Sequence, residues 1–65
     1  MEKEALGKKI LEFRTNAGLS QIELCAAAGI STNTLSNIER GIKYPRKTTL
    51  RCILNALGMA QDELP

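Results

Sequence analysis

Apolar residues recur at helical spacing in four stretches of this chain, and each stretch closes on a glycine. Leu6, Ile10, Phe13 and Ala17 mark one face of a first helix over residues 4–17, ended by Gly18 as a left-handed cap. Glu4 stands one turn before Lys8, the favourable order for a charged pair on a helix. Gly7 falls within the first turns and costs about 1 kcal/mol against alanine. The pattern offers no reason for it.

The stretch from Gly18 to Gly41 reads GLSQIELCAAAGISTNTLSNIERG, two short helical patterns between three glycines. Ser20 and Glu23 have capping-box spacing, and Leu19 can staple onto Leu24. They predict a second helix over 21–28, kept thin by Ala26, Ala27 and Ala28. Ile30, Ser31 and Leu35 repeat the same opening and predict a third helix over 32–40. Its N3 residue is Thr34, so the reciprocal half of the capping box is missing. Leu35 and Ile38 face inward, which leaves Thr32, Asn33, Ser36, Asn37 and Arg40 outside. A loop with Tyr44 and Pro45 leads to a fourth helix over 47–57, with Leu50, Ile53, Leu54 and Leu57 as its buried stripe. Arg46 caps poorly, so Thr48 or Thr49 is expected to help start that helix. Beyond Gly58 and Met59 a last helical turn is expected over 61–64. The fold class is all-α, with no strand segment and a helix-turn-helix at its centre.

The chain has 65 residues, the size of one small domain over 1–65. At that length no separate ligand-sensing domain is expected, and a larger surface is expected to come from a second copy. Nine Lys and Arg stand against seven Asp and Glu, a formal net charge of +2. Distribution says more than the total. Arg40, Lys43, Arg46, Lys47 and Arg51 share one stretch without an acid, while Glu2, Glu4, Asp62 and Glu63 gather at the ends. Cys25 and Cys52 each sit in an apolar helical pattern and are expected to be inert, buried or half-buried thiols. With no histidine and no metal-ligand spacing, no metal or cofactor is expected. Nor is there a credible nucleophile–base pair, so an enzyme is not expected. No leader or membrane-length apolar segment is visible, and a cytoplasmic location is expected.

The outer face of the third helix is unusual in its residue types. A merely solvated helix fills such positions with Glu, Lys and Gln. Here stand Thr32, Asn33, Ser36 and Asn37, poorer helix formers whose short hydroxyls and amides suit base edges. Asn can pair bidentately with adenine, and a Thr methyl can pack on a thymine methyl. Asn33 and Asn37 lie one turn apart and project together. Gln21, at the start of the second helix, is placed to reach a backbone phosphate beside the helix's positive dipole end. Arg40, Lys43 and Arg46, with Lys47 a weaker candidate, would hold the strand on the far side.

These elements in this order resemble the lambda-repressor-like DNA-binding domains, the Cro/C1 or XRE-type helix-turn-helix family. The resemblance runs from Leu6 to Leu64 through LGKKILEFR, GLSQIEL, AGISTNTLSNIERG, YP, LRCILNALGM and DEL. It implies a compact five-helix domain that binds double-stranded operator DNA through its third helix. It also implies a salt bridge between Arg14 and Glu39, phosphate contact by Gln21, and base contact by Thr32, Asn33 and Asn37, with Ser36 nearby. Members generally bind palindromic operators as symmetric dimers, which implies a homodimer seam around Met59 and Leu64 with part of the fourth helix; the rival is a monomer that buries these two residues against its own first helix. Two departures stand out: Cys25 where the family usually has alanine, and Arg46 where it often has a serine or threonine cap. A transcriptional regulator is the function implied. If it recruits RNA polymerase, the exposed Glu23 is the residue concerned. The alternative is an antitoxin-like interaction module whose main partner is another protein.

Overall fold

In a computed structural model, residues 2–58 are described. The helices are α1 (Lys3–Asn16), α2 (Gln21–Ala28), α3 (Thr32–Glu39) and α4 (Lys47–Ala56). Each lies within a residue or two of the span its pattern predicts. The described residues contain no strand. The expected last turn over 61–64 lies outside them, as do Met59 and Leu64.

α1 packs across α3, while α2 packs against both α4 and α3. Leu6 and Ile10 of α1, Leu24, Cys25 and Ala28 of α2, Leu35 and Ile38 of α3, and Ile53 of α4 form the core. Leu19, Ile30, Leu50 and Leu57 close its edges, half-buried against it. The α1 stripe is shorter than its periodicity implies. Phe13 is half-buried, and Ala17 is exposed because it is the C-cap, where the chain already turns towards Gly18. Leu54 joins Ile53 in full burial on α4.

Gly7 acquires its reason here. A Cβ at this position would run into the carbonyl oxygen of Ile38 and would lie 2.9 Å from that of Glu39. α1 therefore crosses α3 backbone against backbone, over the last turn of α3. Only a residue without a side chain permits that approach, and the propensity lost inside α1 is the cost of the crossing.

Caps fix where the central helices begin. The Ser20 hydroxyl accepts from the Glu23 N–H at 3.0 Å, and the Glu23 carboxylate accepts from the Ser20 N–H at 2.8 Å. At α3, Ser31 Oγ accepts from the Thr34 N–H at 3.1 Å. Thr34 has no carboxylate to complete a box; instead its hydroxyl bonds that of Ser31 at 2.8 Å. α4 begins without help from Thr48 or Thr49. Its N-cap is Arg46, in extended conformation and with no side-chain cap bond. The missing cap follows from the chemistry of Arg46, which carries donors only.

The two thiols part company. Cys25 is buried and its Sγ–H lies 3.4 Å from the carbonyl oxygen of Ser31, joining α2 to the start of α3 across the turn. Cys52, expected to be at least half-buried, is exposed. It precedes the buried pair Ile53 and Leu54 and so falls outside the inward arc of α4.

Candidate nucleic-acid interface

α3 is eight residues long, about 12 Å at 1.5 Å per residue. An α-helix with its side chains is about 10–12 Å across, which suits the width of about 12 Å of a B-DNA major groove. Its buried side consists of Leu35 and Ile38, and its open side begins with the exposed Thr32 and Asn33. Ser36 and Asn37 follow on the helix and are half-buried. The Asn37 carbonyl is already used, accepting from the Ile42 N–H at 2.9 Å and the Lys43 N–H at 3.3 Å. With the Gly41 N–H on the Ile38 carbonyl at 3.1 Å, these bonds close the end of α3 and fix where the following loop departs.

That departure brings the basic residues round to α3. A groove of about 470 Å³ lies between α3, the loop and the start of α4. Buried Ile38 and Pro45 form its floor, and Thr34, Lys43, Arg46 and Thr49 stand around it. Lys43 and Arg46 are exposed, as are Arg40 and Lys47. The structure thus gathers Lys43 and Arg46 beside α3, with Arg40 at the C-cap of α3 and Lys47 at the first turn of α4. Tyr44 also lines the groove and is half exposed. Its place and that of Thr34 carry no signal in the sequence, because neither belongs to a charged or apolar pattern.

Behind the open face lies a polar cluster joining three helices. Arg14 Nε donates to Glu39 Oε2 at 2.7 Å and Arg14 Nη2 to Glu39 Oε1 at 3.2 Å, a bidentate pair. Arg14 Nη1 donates to the Leu19 carbonyl at 2.8 Å, which ties the α1–α2 turn to the same guanidinium. The side chains are only 12% and 5% exposed. Among the described residues this is the one ion pair, so the Glu4 and Lys8 side chains do not close theirs. Gln21 is half-buried, and its Nε2 donates to Glu39 Oε1 at 2.9 Å. Its side chain therefore already has a protein partner, which its position at the head of α2 does not announce.

Electrostatic shifts are local. The hydrogen bonds from the Ser20 backbone and side chain hold the Glu23 carboxyl below its usual range. Burial, reinforced by the Glu39 carboxylate, pushes the Cys25 thiol up, against the opposing pull of Arg14. Cys25 is thus a protonated structural thiol at neutral pH. Among the described residues no three His, Cys, Asp or Glu side chains converge on a point where a metal ion could sit. No described helix is long and apolar enough to cross a membrane.

Comparison with known proteins agrees with this geometry. The helix-turn-helix family profile matches residues 10–64. An uncharacterized HTH-type transcriptional regulator of Mycobacterium tuberculosis is 39% identical over 59 residues, covering 91% of this chain and 23% of that protein. The chain therefore spans less than a quarter of the length of that relative. The uncharacterized HTH-type transcriptional regulator YazB of Bacillus subtilis is 36% identical over 64 residues, 98% of this chain and 93% of that one. In three dimensions the clp gene regulator ClgR from Corynebacterium glutamicum superposes with a TM-score of 0.91 at 33% identity, covering 97% of this chain and 67% of that one. With the capped α2 and α3, the glycine-seated crossing of α1 and the Arg14–Glu39 pair in place, the chain belongs to the Cro/C1-type (XRE) helix-turn-helix family.

Proposed function

We propose that this protein is a sequence-specific DNA-binding transcriptional regulator that seats α3 in the major groove of a palindromic operator. The observation that carries the reading is the juxtaposition of an acid-free polar face on α3 with the basic groove beside it. Thr32, Asn33, Ser36 and Asn37 read base edges, while Gln21, Arg40, Lys43, Arg46 and Lys47 hold the backbone. The described residues extend 25 × 24 × 21 Å. Recognition helices on successive turns of one DNA face stand about 34–36 Å apart, which takes two such domains side by side. The protein therefore acts as a homodimer, with Met59 and Leu64 assigned to the seam. Where regulation works through RNA polymerase, Glu23 on the exposed side of α2 is the contact.

Selection of bound sites from random duplex DNA tests this reading. The expected product is a pair of inverted half-sites centred one helical turn apart. Recovery of no enriched sequence, with retention that depends only on salt, would overturn it. One observation favours a second reading. Ile22 is 72% exposed on α2, near Ala26 and Ala27 on the same open side. Such a face suits a protein partner, as in an antitoxin-like module. That reading predicts a chain that enriches no DNA sequence.

A further inference from the structure

We infer that Glu39 is a positioning residue for the phosphate contact of α2, acting through the Gln21 amide. The inference rests on the proposed DNA-binding function and gives Glu39 a task beyond holding α1 to α3. Glu39 is the last residue of α3, and its carboxylate accepts three N–H groups, from Arg14 Nε, Arg14 Nη2 and Gln21 Nε2. An ionised carboxylate only accepts, so it decides which end of the Gln21 amide faces it. Gln21 must present its NH2 group. One N–H bonds Glu39, and the second is the donor left for a phosphate oxygen.

Three features make this arrangement suitable for an anion. The bidentate Arg14 balances the charge of Glu39, so the carboxylate anchors Gln21 without presenting a bare negative charge to DNA. The first-turn N–H groups of α2 lie beside Gln21, at the positive end of the helix. Glutamine is also rich in rotamers, and a side chain ordered before DNA arrives does not have to be ordered on binding. Contact between α2 and the DNA backbone is thereby set by the far end of α3, the helix that reads the bases.

The test is a cycle of variants measured on one random-sequence duplex by fluorescence anisotropy, at several salt concentrations. Gln21→Ala removes the clamp. Arg14→Met with Glu39→Met removes the anchor without stranding a charge and keeps the net charge unchanged. Far-UV circular dichroism and a thermal melt establish that each variant is folded. Gln21→Ala is expected to weaken binding about tenfold with its salt slope unchanged, because the lost contact is uncharged. The Met pair is expected to weaken binding about tenfold when Gln21 is present and less than about twofold when it is alanine. Factors that multiply to about a hundredfold would overturn the positioning role, since Glu39 would then act independently of Gln21. If Gln21→Ala binds as well as the parent, the phosphate contact itself is wrong, a separate failure. Should the Met pair not fold, Glu39→Asp serves in its place. The shorter carboxylate stays charged opposite Arg14 but withdraws from Gln21, and its loss of affinity must likewise vanish in the Gln21→Ala background.

Discussion

Replacing Gly7 by alanine sets two physical effects of opposite sign against each other. In an isolated helix the change stabilises by about 1 kcal/mol, because alanine has the better propensity. In this fold the new methyl group meets the backbone carbonyls of Ile38 and Glu39, the latter at 2.9 Å. Both belong to the last turn of α3 and cannot swing aside as a flexible side chain could. The helices must part, which loosens Leu6 and Ile10 against Leu35 and Ile38, and strains the 2.7 Å bond between Arg14 and Glu39. Overpacking a well-filled site costs about 1–3 kcal/mol, and obstruction by backbone places this one at or above the top of that range.

After the propensity gain is set against it, a net loss of about 2 kcal/mol remains. A domain of this size holds about 3–10 kcal/mol in all, so the effect is large. It corresponds to a fall in Tm of roughly 8–16 °C. Urea unfolding followed by circular dichroism measures it directly. Gly18→Ala supplies the contrast. Gly18 has φ of +75°, and a Cβ there would meet nothing within 4 Å, so alanine costs about 1–2 kcal/mol of backbone strain and no packing. If Gly7→Ala proves as stable as the parent, or more so, the close crossing of α1 over α3 is not the reason for the glycine.

Three further outcomes are expected. Asn37→Ala should erase the operator preference while leaving salt-dependent binding to random DNA largely intact, whereas Arg46→Ala should weaken both and flatten the salt slope in a titration across ionic strength. Glu23 titrates below its ordinary value of 4.5 in the folded state, so it contributes stability above that pH and loses it as pH falls through the folded pKa. Glu23→Gln should therefore reduce the steepness of acid unfolding, and an unaltered acid limb would count against the capping box as its source. In the folded protein a thiol reagent should label Cys52 at once and Cys25 only on unfolding, and Cys52→Ala should abolish the fast phase.

How much of the fold is legible in the sequence differs between elements. The starts of α2 and α3 are written locally, in Ser20 with Glu23 and in Ile30 with Ser31, because a cap needs only neighbours in sequence. The reason for Gly7 is not, since its partners lie on another helix more than thirty positions away. Periodicity also overreaches at its edges. It extends the α1 stripe to Ala17, which is exposed because it is already the C-cap, and the apolar setting of Cys52 suggests burial although that residue falls outside the inward arc of α4. In the candidate interface, charge pattern marks Lys43 and Arg46 but gives no hint that Thr34 and Thr49 stand around the same groove. The Gln21 bond to Glu39 joins residues 18 positions apart through neutral and charged groups that follow no shared rhythm. It becomes visible only once the chain is folded.

These anchors meet on a single object, the eight-residue α3. An isolated helix of that length has no stability of its own in water, because nucleation costs more than so few bonds return. Its conformation must come from what grips its ends. At the start, Ser31 caps it and Cys25 bonds the Ser31 carbonyl from α2. At the finish, α1 lies on its backbone at Gly7, Arg14 and Gln21 hold Glu39, and the Ile42 and Lys43 N–H groups close on Asn37. Leu35 and Ile38 secure the middle, and the residues left unclaimed by these tasks are Thr32, Asn33 and the side chains of Ser36 and Asn37. Holding a short helix from every side except one leaves that side rigid and free of structural duty. On the proposed DNA-binding reading, those four side chains are the ones whose change alters sequence preference with least effect on the fold, whereas a change at Gly7, Cys25 or Glu39 alters the platform on which all of them stand.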